Sequence, residues 1–150
     1  MQARYTQKFV QQNWNSIWSD QASGGAISAN YNDAIYPIVV TNNGAIQERW
    51  AIVFTDISAF KCIGEYTGEL SLRGTTNADY VPINPVTNTP YFSIKKEGWG
   101  AGWVNGNVLR FNTNAATFPV WVIRTVKQSE PTELTDQFQV MLRGDIDRVI

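Results

Sequence analysis

In Gln47-Glu48-Arg49-Trp50-Ala51-Ile52-Val53-Phe54 the last five residues are apolar without a break. Aromatic and β-branched side chains suit a strand, and a strand alternates its side chains between two faces. Apolar residues at successive positions therefore place both faces of this strand out of water. It is either central in its sheet or covered by another layer, such as the aromatic N-terminal segment. Pro119-Val120-Trp121-Val122-Ile123 has the same two-sided character. Upstream, residues 34–40 are rich in Ile, Val and Tyr, and Asn42-Asn43-Gly44 is a turn signal between the two runs. That arrangement predicts residues 34–40 and 47–54 as neighbouring antiparallel strands.

Working outward, residues 60–66 predict the next strand, with Gly68 and Gly74 marking bends or bulges beyond it. Residues 74–90 carry Asn77, Asp79, Pro82, Asn84, Pro85, Asn88 and Pro90 and predict a long ordered loop. Residues 91–95, 108–111, 118–126 and 137–142 complete about seven strands, which favours a sandwich or barrel. In the last of these, Phe138, Val140 and Leu142 alternate with Gln137, Gln139 and Arg143, giving one buried and one wet face.

The N-terminal stretch has a different pattern. Tyr5, Phe9, Trp14, Ile17 and Trp18 approximate one helical face, but the intervening Thr, Gln and Asn dilute helical propensity. An extended arm whose aromatics dock elsewhere fits equally well. Ala22-Ser23-Gly24-Gly25-Ala26-Ile27-Ser28 reads as a loop. The expected fold is all-β, an antiparallel β-sandwich or partly closed barrel with a short N-terminal helix or arm. Residues 1–30 would be the arm and linker, and residues 31–150 a single β domain.

Composition narrows the chemistry. The 150 residues include no histidine and one cysteine, Cys62, against six tryptophans, six tyrosines and seven phenylalanines. Proton shuttling and zinc binding near neutral pH draw on histidine or clustered cysteines, so the chain is equipped to pack and bind rather than to catalyse. Cys62 lies in Phe60-Lys61-Cys62-Ile63 and reads as a buried structural thiol. Charged residues make up 17% and the net charge is −1, which gives no long-range pull on phosphates and argues against a nucleic-acid partner. With no basic-then-apolar leader and no apolar run near a membrane span, no membrane insertion is expected. The chain reads as soluble and made in the cytoplasm. A chain of this length buries roughly 70% of the surface its unfolded form exposes, and one domain accounts for it.

Four glycines fall within Gly98-Trp99-Gly100-Ala101-Gly102-Trp103-Val104-Asn105-Gly106. This loop is either a platform for sugar stacking or protein docking, or a tight crossover whose indoles plug one end of the sandwich. It lacks the pattern of a phosphate-binding loop. Asp33, Asp56, Glu65, Glu69, Asp79, Asp136, Asp145 and Asp147 are the acid–base groups available to a glycosidase, and none is paired by spacing. Asp145 and Asp147 lack the remaining features of a calcium loop and read as salt-bridge partners. Arg143-Gly144-Asp145 is an adhesive tripeptide only by coincidence of three residues. No catalytic residue, metal site or cofactor is expected. Trp50, Phe54, Phe118, Trp121 and Phe138 fall on strand patterns and are core. Trp14, Trp18, Trp99, Trp103, Tyr80 and Tyr91 lie outside clean strands and are the candidate interface residues.

The stretch from Asn43 to Phe54 also resembles a known sequence pattern. The likeness continues in Pro82-Ile83-Asn84-Pro85, Pro90-Tyr91-Phe92 and Gly98-Trp99-Gly100-Ala101-Gly102-Trp103. It extends through Gly106-Asn107-Val108-Leu109-Arg110-Phe111-Asn112-Thr113, Val120-Trp121-Val122-Ile123-Arg124-Thr125 and Arg143-Gly144-Asp145-Ile146-Asp147-Arg148. Together, over residues 30–148, these resemble a domain of large structural proteins in the tails and tail tips of tailed bacteriophages and Mu-like prophages. The resemblance implies a non-enzymatic virion component, made in the bacterial cytoplasm and placed in the tail. Its partners would be other phage tail proteins or further copies of itself. A carbohydrate-binding module contacting a host surface glycan is the alternative. In the proteins it resembles the stretch is part of a longer chain, so this one reads as an excised domain or a small relative that works alone. If Trp99 is an assembly anchor, Trp99→Ala weakens association and leaves the monomer folded; if that variant unfolds, Trp99 is core.

Overall fold

The computed structural model describes residues 1–117, all within one compact unit, Met1–Pro119. The strands predicted at 118–126 and 137–142, the residues Phe118, Trp121 and Phe138, the carboxylates Asp136, Asp145 and Asp147, and the Arg143-Gly144-Asp145 tripeptide lie outside the described residues. In chain order the strands are β1 (Arg4–Gln11), β2 (Glu48–Phe54), β3 (Ala59–Gly64), β4 (Gly68–Glu69), β5 (Gly74–Thr75), β6 (Ile83–Asn84), β7 (Thr89–Pro90) and β8 (Val108–Asn114). The main sheet is antiparallel in the order β1-β8-β2-β3-β4, with β5 also against β3, and β6 and β7 form a separate hairpin. Among the described residues the sheet path has two ends, so the fold they form is all-β and sandwich-like but is not a closed barrel. No α-helix occurs among the described residues, where the one helical turn is the 3₁₀ segment Lys96–Gly98.

β2 is central, as its composition requires. It pairs with β8 from Glu48↔Thr113 to Val53↔Val108 and with β3 from Trp50↔Gly64 to Phe54↔Phe60. Its alternation divides the molecule into two apolar layers. Trp50, Ile52 and Phe54 join Phe60, Cys62, Leu109 and Phe111 on the inner face. Against them pack Tyr31, Ile38, Tyr80, Tyr91, Phe92, Ile94 and Trp103 from the facing loops. Each fully buried large apolar side chain contributes about 1.5–3 kcal/mol. Ala51 and Val53 face the other way with Val108, and the layer that covers them is Trp14 and Trp18 of the N-terminal segment.

The layer facing the main sheet is held by isolated bridges, Tyr31↔Trp99, Val39↔Ser93 and Tyr80↔Ile94. Residues 34–40 are therefore not the neighbouring strand of β2. Both edges of β2 are occupied by β8 and β3, and Val39 pairs with Ser93 instead. Tyr36, Ile38 and Val40 turn toward the core while Ile35 and Val39 remain exposed, so this run packs one face onto the core from the facing layer rather than beside β2. Residues 91–95 likewise make bridges rather than a strand.

The N-terminal segment departs from a helix for a physical reason. Its first part is β1, paired with β8, and the register shifts between Thr6 and Phe9. Such a bulge adds one residue to one strand and reverses the alternation beyond it. Tyr5 and Val10 thus pack toward the inner core while Phe9 faces the outer side, beside Arg110. The four-residue step from Tyr5 to Phe9 mimics a helical period but is a bulged strand.

Candidate functional site

After β1 the chain leaves the sheet edge and crosses the outer face as a strap of irregular backbone, residues 12–20. The strap has no ladder of its own, so it is fastened residue by residue. Trp14 N–H donates to Gly106 O at 3.1 Å, and Asn107 Nδ2 donates to Gln12 O at 2.9 Å. Trp14 and Trp18 meet edge-to-face, with centroids 4.8 Å apart and planes at 69°. Ser16 takes a positive φ of 61° between them, which turns the chain back so that both indoles reach the sheet.

The two indoles close around Arg110. Its guanidinium carbon lies 5.0 Å from the Phe9 ring centroid, 5.6 Å from Trp14 and 5.5 Å from Trp18. These distances are within the range of cation–π attraction, which strengthens as water is excluded. Arg110 also donates from a terminal nitrogen to Ile17 O at 3.3 Å. The residue is only 2% exposed, and its Nε has no hydrogen-bond partner among the described residues. Burial accordingly pulls its pKa below the usual arginine value, partly offset by the Asp20 charge.

The far end of the strap is held by charge. Asp20 accepts from Arg49 Nε at 3.0 Å and from Asn112 Nδ2 at 3.2 Å, and Arg49 also bonds Glu65 at 2.8 Å. Hydrogen bonds from Arg49 and then Asn112 hold the Asp20 carboxyl below its ordinary range, while Asp20 and Glu65 push the Arg49 pKa up. Arg49 and Asn112 are opposite each other on β2 and β8, on the same outer face as Ala51 and Arg110. One strap thus meets a small apolar patch, a caged cation and an ion-paired end.

The six aromatic candidates separate in this geometry. Trp14 and Trp18 are half-buried in the strap. Tyr80, Tyr91 and Trp103 are buried and belong to the core, a correction to their placement as interface residues. Trp103 stacks on Phe54 at 4.2 Å with planes 6° apart, Tyr80 meets Phe60 edge-to-face, and Tyr91 lies against Trp50. Trp99 is half-buried among Tyr31, Phe54, Phe60 and Trp103. The glycine-rich loop is therefore the crossover that plugs one end of the core. Gly98 is required there, since a Cβ would come within 2.4 Å of the Tyr31 ring.

Arg110, Phe9 and Asp20 are site residues that sequence reasoning missed. The usable signal was Arg110 itself, a charge between Leu109 and Phe111 in a strand destined for burial. Of the described carboxylates singled out as acid–base candidates, Glu65 is bound to Arg49 at the end of the strap and the others are engaged elsewhere. Lys8 pairs with Asp33 at 3.1 Å, Lys61 and Arg73 with Glu69, and Lys95 with Asp79 at 2.6 Å. Asp56 accepts from the backbone N–H of Ile57. Cys62 is buried and burial pushes its thiol pKa up, which suits an unreactive core thiol.

Beside the strap lies a shallow depression of about 310 Å³, lined by Gln12, Asn13, Ser28, Val104, Asn105 and Asn107 among others. Gly102 forms part of its wall at φ 91°, where a Cβ would meet Ser28 Oγ at 2.8 Å. Its lining side chains are amides, a hydroxyl and small apolar groups, a surface that can hydrogen-bond a neutral ligand. No family model, no curated protein and no solved structure matches this chain.

Proposed function

We propose that the chain is a non-enzymatic structural module of a phage or prophage tail or tail tip, and that its work is subunit assembly. The observation that carries this reading is the strap. Half-buried Trp14 and Trp18 flank Ile17, which is 59% exposed, on a segment without regular secondary structure. Aromatic and aliphatic surface at such a boundary is what a neighbouring subunit covers, and buried aromatic anchors dominate association energies. The resemblance of residues 30–148 to phage tail proteins supports the same role.

A carbohydrate-binding role is the second reading, favoured by the amide-lined depression next to the strap. Titration with lipopolysaccharide or peptidoglycan fragments separates the two, followed by tryptophan fluorescence. The structural reading predicts no change with glycan. It also predicts association with itself or with tail proteins in sedimentation, weakened tenfold or more in Ile17→Asp, which alters the exposed side chain of the strap. A saturable glycan-dependent shift without any association would overturn it.

A further inference from the structure

We infer that residues 1–20 are an exchangeable arm, and that in the assembled state the outer face of β2 and β8 in one copy is covered by the arm of a second copy. This inference rests on the assembly role proposed above and names its partner.

The argument begins with the hinge. Residues 21–26 are exposed, and among the described residues their hydrogen bonds run back to the arm rather than to the sheet. Gly25 N–H donates to Gln12 Oε1 at 3.0 Å, and Asn15 Nδ2 donates to Ser23 Oγ at 3.1 Å. Gly24 adds a residue at φ 93°, which permits a reversal that other residues resist. These bonds fold the hinge, residues 21–28, back onto the strap, and an extended hinge in the exchanged form gives them up.

The docking surface is equally self-contained. The arm is received by β8 along the edge, by Arg110, Arg49 and Asn112 on the outer face, and by Asn30, Tyr31 and Asp33 at Lys8. Every one of these groups lies beyond the hinge. An arm from a second copy would make the same contacts, so the closed and exchanged forms differ only in the path of the hinge. Exchange of an identical element needs no new interface, and the balance is then set by effective concentration. Eight hinge residues extend to about 26–29 Å, enough to reach an adjacent copy. An Arg110 caged by Phe9, Trp14 and Trp18 also restricts the occupant. An unrelated segment would have to supply three aromatic faces and an acidic end at the same spacing.

The test is cross-linking in the full-length chain. Asp20→Cys and Asn112→Cys are made as separate variants, since the native atoms are 3.2 Å apart. The two are mixed at high concentration and treated with a short bismaleimide. Exchange predicts a cross-linked heterodimer whose yield rises with concentration. The control, exposed Ser71→Cys mixed with Asn112→Cys, should yield none. If the Asp20→Cys/Asn112→Cys double variant links only within one chain, and the mixture gives no heterodimer, the inference is overturned. Deletion of residues 23–26 is an independent variant. It shortens the tether that favours the closed form and should raise the dimer fraction seen by light scattering; an unchanged monomer fraction would refute exchange. Should the arm stay in its own chain while the protein still associates, exchange falls and the assembly role stands. A chain that neither exchanges nor associates removes both.

Discussion

Glu48 occupies a buried position at the end of the inner face, where the chain spends hydrogen bonds rather than an apolar contact. Its carboxylate accepts from Thr67 Oγ1 at 2.6 Å, from Thr67 N–H at 2.9 Å and from Tyr66 N–H at 3.2 Å, fixing the turn between β3 and β4. Gly64 makes room for it, because a Cβ there would lie 3.0 Å from Glu48 Oε2. In Glu48→Gln an amide N–H₂ faces backbone donors in place of one oxygen, which should cost about 1–3 kcal/mol. Urea denaturation checks this, and an unchanged midpoint would refute it. Trp99→Ala removes an indole packed against four other rings and should cost about 3–5 kcal/mol through the cavity it leaves. The melting temperature should fall sharply, in contrast to the expectation of a folded, assembly-defective monomer. Trp103 was readable as core only as one of two alternatives for the glycine-rich loop, and Tyr80 and Tyr91 were unreadable as core, for one reason. They sit on irregular backbone, where no period indicates which way a side chain turns.

Among the elements, β2, β3 and β8 were legible because their burial follows directly from local pattern. The covering of Ala51 and Val53 by an aromatic N-terminal layer was legible as one of two alternatives, a central place or a covered one, and β2 has both. β1 was obscured by its bulge, and residues 34–40 because their inward face, Tyr36, Ile38 and Val40, meets the core from the facing layer and not from a position beside β2. The strap's hold depends on Arg110 as a flat cation as well as a charge. Arg110→Lys keeps the charge but loses the planar group that stacks on Phe9, Trp14 and Trp18, and should cost about 1–2 kcal/mol. The expected signature is a red shift in tryptophan emission with an unaltered far-ultraviolet β signal. Unchanged emission would show that the strap is held without the cage.

The molecule as a whole is built around protonated buried groups. Burial pushes Tyr31 up to about 12, and pushes Tyr80 and Cys62 above their ordinary values of 10.0 and 9.0. In the unfolded chain these groups lose protons near their ordinary values while the folded chain keeps them. The folded state then binds more protons, so stability is intact below pH 9 and falls as pH rises above it. Urea midpoints at pH 7, 9 and 10.5 should be level and then decline; a flat series would contradict this.

The proposed assembly role would put the chain in a phage particle, and the most direct measurement is made there. Particles purified from an induced host culture should yield peptides of this chain by quantitative mass spectrometry, at fixed stoichiometry with tail proteins. Particles that contain the tail proteins but none of these peptides would contradict the account.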